Sequence, residues 1–380
     1  MTRWGILTGE YPPHEGGVAD YTALVAGALA ACGDEVTVYA PPADPRTESH
    51  PPGVAVVRLP DRFGPRGLPA LDAALARRPR PDRILIQYVP HAFGMKAMNL
   101  PFAAWTAARA HRIAPVWAMF HEVAFPFSWR PAAHALLGGV TRVMARLVAG
   151  AAERVFVSIP AWGDLLKRIC PRMESPKWLP VPCTLDAAPH PDAVAAVRAR
   201  FAPAGRSLVG HFGTYGESIA ALLAPAAAEL LRLAPEVGML LVGRGSDGFR
   251  DRFAHLHPES ARRVTATGPL PAQEVSAHLR ACDLLLQPFP DGISSRRTSA
   301  MAGLANGVPI ATNLGALSEP IWAQGGVAAF PSPDPLGVGR LAARLYADPT
   351  ARTDLGREAS ALYRSRFALE HTVAKLRGAG

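Results

Sequence analysis

The stretch WGILTGEYPPHEGGVADYTALVAGALAACGDEVTVYA, residues 4–40, decides the fold. Trp4–Thr8 and Glu35–Ala40 are short apolar runs of strand length. Between them Val18, Tyr21, Val25, Ala28 and Leu29 recur at three- and four-residue steps, the stripe of an amphipathic helix. Strand, helix and strand in that order predict a parallel pair joined by a crossover. The alternation continues outward through Val54–Leu59, Arg83–Val89, Pro115–His121 and Arg154–Ser158. A proline-dense passage around Ser175–Gly205 then interrupts it, as an interdomain connection does. It restarts with Ser207–Phe212, Val237–Val242, Arg263–Thr267, Asp283–Pro288, Val308–Thr312 and Gly326–Phe330. The expectation is an α/β chain of two doubly wound, Rossmann-like domains, residues 1–185 and 186–355, facing across a cleft. Residues 356–380 are expected to form a helical segment packing back toward the first domain. In such sheets ligands sit at the carboxyl ends of the strands.

The 380 residues contain 49% hydrophobic and 19% charged residues, which suits packed domains and excludes wholesale disorder. No apolar run reaches the length of a membrane span. The amino-terminal MTRWGILTGEYPP enters a strand directly, without a signal pattern, so a cytoplasmic location is expected. The net charge of +9 raises the question of nucleic acid. Only Lys96, Lys167, Lys177 and Lys375 are lysines, and the arginines are dispersed without a run, so no nucleic-acid partner is expected. Cys32, Cys170, Cys183 and Cys282 form no CxxC pair and read as thiols in a reducing compartment, with no structural metal.

Three segments carry the chemistry. Gly9-Glu10-Tyr11-Pro12-Pro13-His14-Glu15-Gly16-Gly17 lies between the first strand and helix, where Gly16 and Gly17 let backbone approach an anion. It lacks the GxGxxG spacing of a dinucleotide site. His121 ends the strand Pro115–His121 and would present an imidazole to a sugar hydroxyl or oxyanion. The stretch from Pro288 to Pro309 reads strand, loop, helix, glycine, strand, with Ser295 or Thr298 as helix cap. Arg296 and Arg297 then fall at the first turn, where the helix dipole disfavours cations, unless an anion such as a diphosphate binds between them and the amides. Gly213 to Gly216 and Gly243-Arg244-Gly245 place further glycines at strand ends of the second domain.

These pieces, in this order, resemble the retaining GT-B glycosyltransferases of family 4, group 1 type. The resemblance is carried by EYPPHEGGVADYT, LPVPCTLD, LLVGRGSDG, TGPLPAQEVSAHLRACDLLLQPF, LANGVPIATNLGALSEPI and ALYRSRFALEHTVAKL. It implies metal-independent transfer of a sugar from a nucleotide-diphosphate-sugar donor, with retention, to a hydroxyl of a glycan, lipid-linked or small-molecule acceptor. The nucleotide-sugar is a co-substrate, and no cofactor is expected. Gly16 and Gly17 would lie beside the donor diphosphate and His121 beside the transferred sugar. Glu10, Tyr11 and His14 would meet the acceptor. Leu270, in the loop Gly268-Pro269-Leu270, would contact the base through its backbone. Ser294, Ser295, Thr298, Ser299 and Glu319 would hold donor sugar and phosphate. Two departures stand out. The Glu-x7-Glu motif, counted back from Gly307, falls on Ser294 and Ala302, so both carboxylates are missing. Thr214-Tyr215-Gly216-Glu217 stands where the family carries Arg and Lys. Arg296 and Arg297 are expected to replace those cations, with Arg244 as a further candidate and Thr214 remaining as a donor contact.

The rival of another class is a catalytically silent nucleotide-sugar-binding GT-B protein, which the missing carboxylates favour. A GT-B sugar-nucleotide epimerase would need cleft carboxylates that the sequence does not offer. Trp117, Phe125, Phe127, Trp129, Arg130, Arg142, Met144 and Arg146 admit two readings, an ordinary core helix with solvated arginines, which is preferred, and peripheral contact with the inner face of a membrane.

Overall fold

The structure is a computed structural model and describes residues 1–44, 46, 50–77, 79–127, 132–185 and 189–378. The chain divides into two compact units. One comprises Met1–Pro180 with Leu369–Gly380, the other Val181–Ala368. The sequence placed these divisions at 185/186 and 355/356.

The first unit is built on seven parallel strands: β1 Arg3–Thr8, β2 Glu35–Ala40, β3 Val54–Arg58, β4 Arg83–Tyr88, β5 Val116–Phe120, β6 Arg154–Val157 and β7 Lys177–Trp178. Their order is β3-β2-β1-β4-β5-β6-β7. The sequence located the first six within one or two residues and missed β7. The central strands are apolar on both faces, as a sheet covered by helices requires: Ile84, Leu85 and Ile86 are all fully buried. Under β1 and β5 the Trp4 and Trp117 rings meet edge to face at 5.5 Å. The Arg83 guanidinium lies 4.4 Å from the Trp117 centroid. Arg83 also donates to Leu376 O at 3.3 Å, satisfying a carbonyl at the end of the last helix, Leu369–Arg377. Arg377 in turn lies 3.2 Å from the buried Asp34 carboxylate, and Lys375 donates to Trp178 O at 3.0 Å. These three basic residues tie the carboxyl-terminal helix to the first unit.

The second unit holds six parallel strands: β8 Leu208–Phe212, β9 Gly238–Val242, β10 Val264–Ala266, β11 Leu284–Gln287, β12 Ile310–Asn313 and β13 Ala328–Phe330. Their order is β10-β9-β8-β11-β12-β13. The helices Glu217–Leu233 and Pro335–Ala347 cover one face and approach closely at Gly339, where a Cβ would stand 2.5 Å from Ala226 O. Both sheets reverse strand order once, between β1 and β4 and between β8 and β11. That reversal opens a crevice at the carboxyl ends of those strands, which is where a ligand belongs.

Candidate functional site

In the first unit the segment after β1 is pinned beside its own strand end. Thr8 Oγ1 donates to Glu10 O at 2.6 Å. A Cβ on Gly9 would stand 2.5 Å from the Ala92 carbonyl, so only glycine lets the two switch-point segments approach. The Glu10 carboxylate reaches toward Gly16, where a Cβ would lie 2.7 Å from Oε2, and toward His91 Nε2 at 3.6 Å. Gly16 caps the helix Gly17–Ala31 without a side-chain bond, and Gly17 is exposed with open space around it. His14 Nδ1 lies 3.3 Å from Tyr11 O. Tyr11 itself is fully buried, with the Arg58 guanidinium 5.6 Å from its ring, and burial pushes its hydroxyl up to about 12. Its side chain therefore lies in the core, away from any surface where an acceptor was expected.

His121 follows β5. Its Nε2 lies 2.9 Å from Gln87 Oε1 at the end of β4, so Nε2–H donates and Nδ1 keeps its lone pair. The Tyr21 ring stands edge-on at 4.7 Å. The His121 carbonyl accepts from Ser158 Oγ and Trp162 Nε1 at 3.0 and 2.9 Å. Burial lowers this imidazole to about 3, so it is neutral at pH 7. A neutral ring held by Gln87 and Tyr21 suits accepting a hydrogen bond and is no general acid at pH 7.

In the second unit β8 ends at His211-Phe212, and Thr214 is exposed. Tyr215, at φ 55°, turns inward, and its hydroxyl is shared between His211 O at 3.0 Å and Val242 O at 3.2 Å. Where the family places cations, this loop is closed by a buried tyrosine. Arg244 is exposed beyond β9, and Leu270 is half-buried after Gly268, whose N–H donates to Ser246 Oγ at 3.0 Å.

The segment after β11 is the most constrained. Asn313, the last residue of β12, brackets Phe289 with two bonds of 2.8 Å, one to its N–H and one from Nδ2 to its carbonyl. Gly292 has φ +83°, and a Cβ there would lie 2.2 Å from Gly315 N, so no other residue fits. This pinned turn presents Asp291 to both arginines: Arg296 donates to one carboxylate oxygen and Arg297 to the other. The Arg297 guanidinium also lies 4.9 Å from the Phe289 centroid. The arginine side chains are 18% and 23% exposed and that of Asp291 25%. The cluster lies at the foot of the helix Thr298–Ala305.

The capping expectation is corrected here. Arg297 occupies the N-cap position, and no side chain caps this helix. Thr298 and Ser299 are half-buried in its first turn. Ser295 instead gives both its N–H and its hydroxyl to Glu319, which also accepts from Trp322 Nε1 at 2.6 Å. Glu319 is 5% exposed, and burial raises its pKa against those three donors. Ser294 is fully buried, and its Oγ has no partner among the described residues. Gln287 Oε1 at the end of β11 is likewise unpartnered. Buried polar atoms left over at a strand's carboxyl end mark this as the polar centre of the unit. Ala302, the other position of the missing motif, is 1% exposed inside the helix.

Among the residues expected to touch a membrane, Trp117 and Met144 are core residues at 1% and 0% exposure, which removes them from any surface. Arg142 donates to Phe125 O and Gly138 O, and Arg146 to Ile169 O. Trp129 and Arg130 lie outside the described residues. Among the described residues no helix is long and apolar enough to cross a membrane, and no cluster of His, Cys, Asp or Glu is arranged to hold a metal ion.

Asp291 is the functional candidate the sequence reading passed over. Pro290-Asp291-Gly292 reads as turn chemistry, and nothing in the spacing says that the carboxylate folds back onto residues five and six positions on. Gln87 and Gln287 were passed over too, each lying inside an apolar run.

Residues 16–184 match the model of the glycosyl transferase 4-like domain. No curated protein matches the sequence. Among solved structures the chain is similar to a sucrose-phosphate synthase from Thermosynechococcus elongatus, at 18% identity over 99% of this chain and 98% of that one, with a TM-score of 0.76. It is similar to HepE from Anabaena, solved in complex with UDP and glucose, at 15% identity over 100% and 99% of the two chains and a TM-score of 0.70. An α,α-trehalose 6-phosphate synthase from Burkholderia multivorans follows at 17% identity, 100% and 97% coverage and a TM-score of 0.68. The two doubly wound units are therefore a GT-B fold, and with a glycosyl transferase 4-like domain over residues 16–184 the chain is an enzyme of the glycosyltransferase class.

Proposed function

We propose that the enzyme transfers a sugar from a nucleotide-diphosphate-sugar to a hydroxyl acceptor with retained anomeric configuration, in the cytoplasm and without a metal ion. The observation that carries this reading is the Arg296–Asp291–Arg297 cluster beside the amino end of the helix Thr298–Ala305. Two guanidinium forks and free helix amides at a strand's carboxyl end suit a diphosphate. The solved HepE complexes contain UDP and glucose or UDP-glucose, which supports a donor of that kind. All four cysteines are free thiols, in keeping with a reducing compartment.

The chemistry is a front-face displacement. The bond from the anomeric carbon to the β-phosphate oxygen lengthens, and the acceptor oxygen approaches the same face. Its proton passes to the departing phosphate oxygen, so the new glycosidic bond forms as the old one breaks and no protein nucleophile is needed. The growing charge on the diphosphate is held by Arg296, Arg297 and the amides of Thr298 and Ser299. Asp291 orients the guanidiniums beforehand, and Glu319 fixes Ser295 and through it the turn. Ser294 stands where the family motif has a carboxylate, and its buried hydroxyl has no partner among the described residues. His121, neutral and supported by Gln87, offers Nδ1 to a hydroxyl of the transferred sugar. Glu10 and His14 belong to the acceptor side, and Gly16 and Gly17 leave room for the diphosphate.

The test is a thermal-shift panel of UDP-, GDP-, ADP- and TDP-sugars, followed by release of nucleoside diphosphate from whichever donor stabilises the chain. Stabilisation without any donor hydrolysis or transfer would favour the silent binding protein.

A further inference from the structure

We propose that the second unit carries a further anion site, at the amino ends of β11 and β12, for a soluble compound bearing two or more phosphate groups. A groove of about 930 Å³ lies there, walled by Arg280, Arg352, Arg357 and Arg364 and floored by Asn306 and Gly307. Asp283 is the one carboxylate of its lining among the described residues, and it is already engaged by Leu208 N–H at 2.8 Å and Arg198 Nη1 at 3.1 Å. The lining thus sets four guanidiniums against that one carboxylate, and Asp354, outside the lining, pairs with Arg357.

The groove is a product of helix packing. The helix Pro349–Leu362 approaches the Gly307 turn through Gly356, where a Cβ would stand 2.6 Å from Gly307 O. Two of the arginines are braced. Arg352 donates to Leu345 O at 3.3 Å and lies 5.4 Å from the Tyr346 centroid, and Arg364 donates to Ser360 Oγ at 2.8 Å. The other two are on the rim. Arg280 is exposed at the end of the helix Ala272–Arg280, and Arg357 is 76% exposed, paired with Asp354 on its own helix. Braced and mobile guanidiniums around one hollow can close on several phosphate oxygens at once. The helix Thr298–Ala305 separates this groove from the Asp291 cluster, with Arg297 at its amino end and Asn306-Gly307 at its carboxyl end. Its eight residues span roughly 12 Å.

The remaining lining decides the class of ligand. Among the described residues it contains no aromatic ring on which a base would stack and no large apolar side chain that would enter a bilayer. A small polyanion fits, and a nucleic acid or lipid surface fits poorly.

The experiment titrates the full chain with pyrophosphate by calorimetry at low ionic strength, in the wild type and in Arg296→Ala/Arg297→Ala, so that binding in the groove is told apart from binding at the Asp291 cluster. The wild type is expected to bind. Arg280→Gln/Arg357→Gln, and Arg280→Glu/Arg357→Glu where the first is folded, should lose at least about tenfold in affinity with melting temperature unchanged. Undiminished binding by both variants, or no binding by the wild type, overturns the proposal. A parallel sedimentation with phosphatidylglycerol vesicles separates the sources. Retention that depends on Arg280 and Arg357, without pyrophosphate binding, also overturns it in favour of a membrane surface.

Discussion

Replacing Arg296 and Arg297 together by alanine tests the proposed reaction at its electrostatic centre. One preorganised donor aimed at a developing oxyanion contributes about 2.7–4 kcal/mol to the transition state. Two guanidiniums acting alone would suggest twice that. Asp291 changes the arithmetic, because its carboxylate lies on both and offsets part of their charge. The expected loss for the pair is therefore that of one donor, a fall in kcat of about 10²–10³-fold. The double variant also leaves Asp291 without its two cations. That side chain is 25% exposed and keeps some water, so the stability cost is about 1–2 kcal/mol once solvent screening is counted. Adding Asp291→Ala removes the orphaned carboxylate. The triple variant should regain melting temperature while keeping the kinetic loss, which separates catalysis from folding. The assay follows nucleoside diphosphate release under single turnover, with the donor that most raises the wild-type melting temperature. Turnover within a few-fold of wild type in a folded double variant would refute the assignment.

Three further outcomes follow from the same geometry. Glu319→Ala strands three donors, the Ser295 N–H and hydroxyl and Trp322 Nε1, and should lower stability by about 2–4 kcal/mol in urea denaturation, with Glu319→Gln losing less. Gly292→Ala forces a side chain into Gly315 at a left-handed φ, so it should lower both the urea midpoint and the donor-induced rise in melting temperature. His121 and His211 are both buried neutral, lowered to about 3 and about 4, whereas an unfolded histidine titrates near 6.5. The unfolded chain therefore takes up more protons between pH 6.5 and 4, and stability falls as pH drops through that window, by up to about 1.4 kcal/mol per pH unit for each ring. His121→Gln should flatten the dependence of melting temperature on pH there, and an unaltered slope would contradict the buried neutral ring.

What the sequence made legible is what local pattern controls. Twelve strands lie within one or two residues of their expected places, because each is an apolar run bounded by turn residues. β7 was invisible, since Lys177-Trp178 is a two-residue strand among prolines and joins the sheet only by pairing with β6. The cap of the helix Thr298–Ala305 misled for a related reason. Ser295 has the right chemistry for a cap, but Glu319, 24 positions away, competes for its hydroxyl and wins because a buried carboxylate needs donors. Asp291 is close in sequence to the arginines it holds, yet only the left-handed turn at Gly292 aims it at them.

The two units share the order of six strands and so a switch point, and each carries a glutamine in the last two residues of its fourth strand, Gln87 in one and Gln287 in the other. Around that common frame the chemistry diverges. Gln87 gives its oxygen to His121, and the first unit presents an uncharged imidazole. Gln287 gives its N–H to Phe212 O at 3.1 Å, and the turn that follows presents two arginines held by one aspartate. A diphosphate gains much more from the second arrangement than from the first, whereas a sugar hydroxyl needs only a neutral acceptor. The proposed preference of the second unit for donor phosphates therefore rests on side-chain charge, because six strands follow the same order in both units.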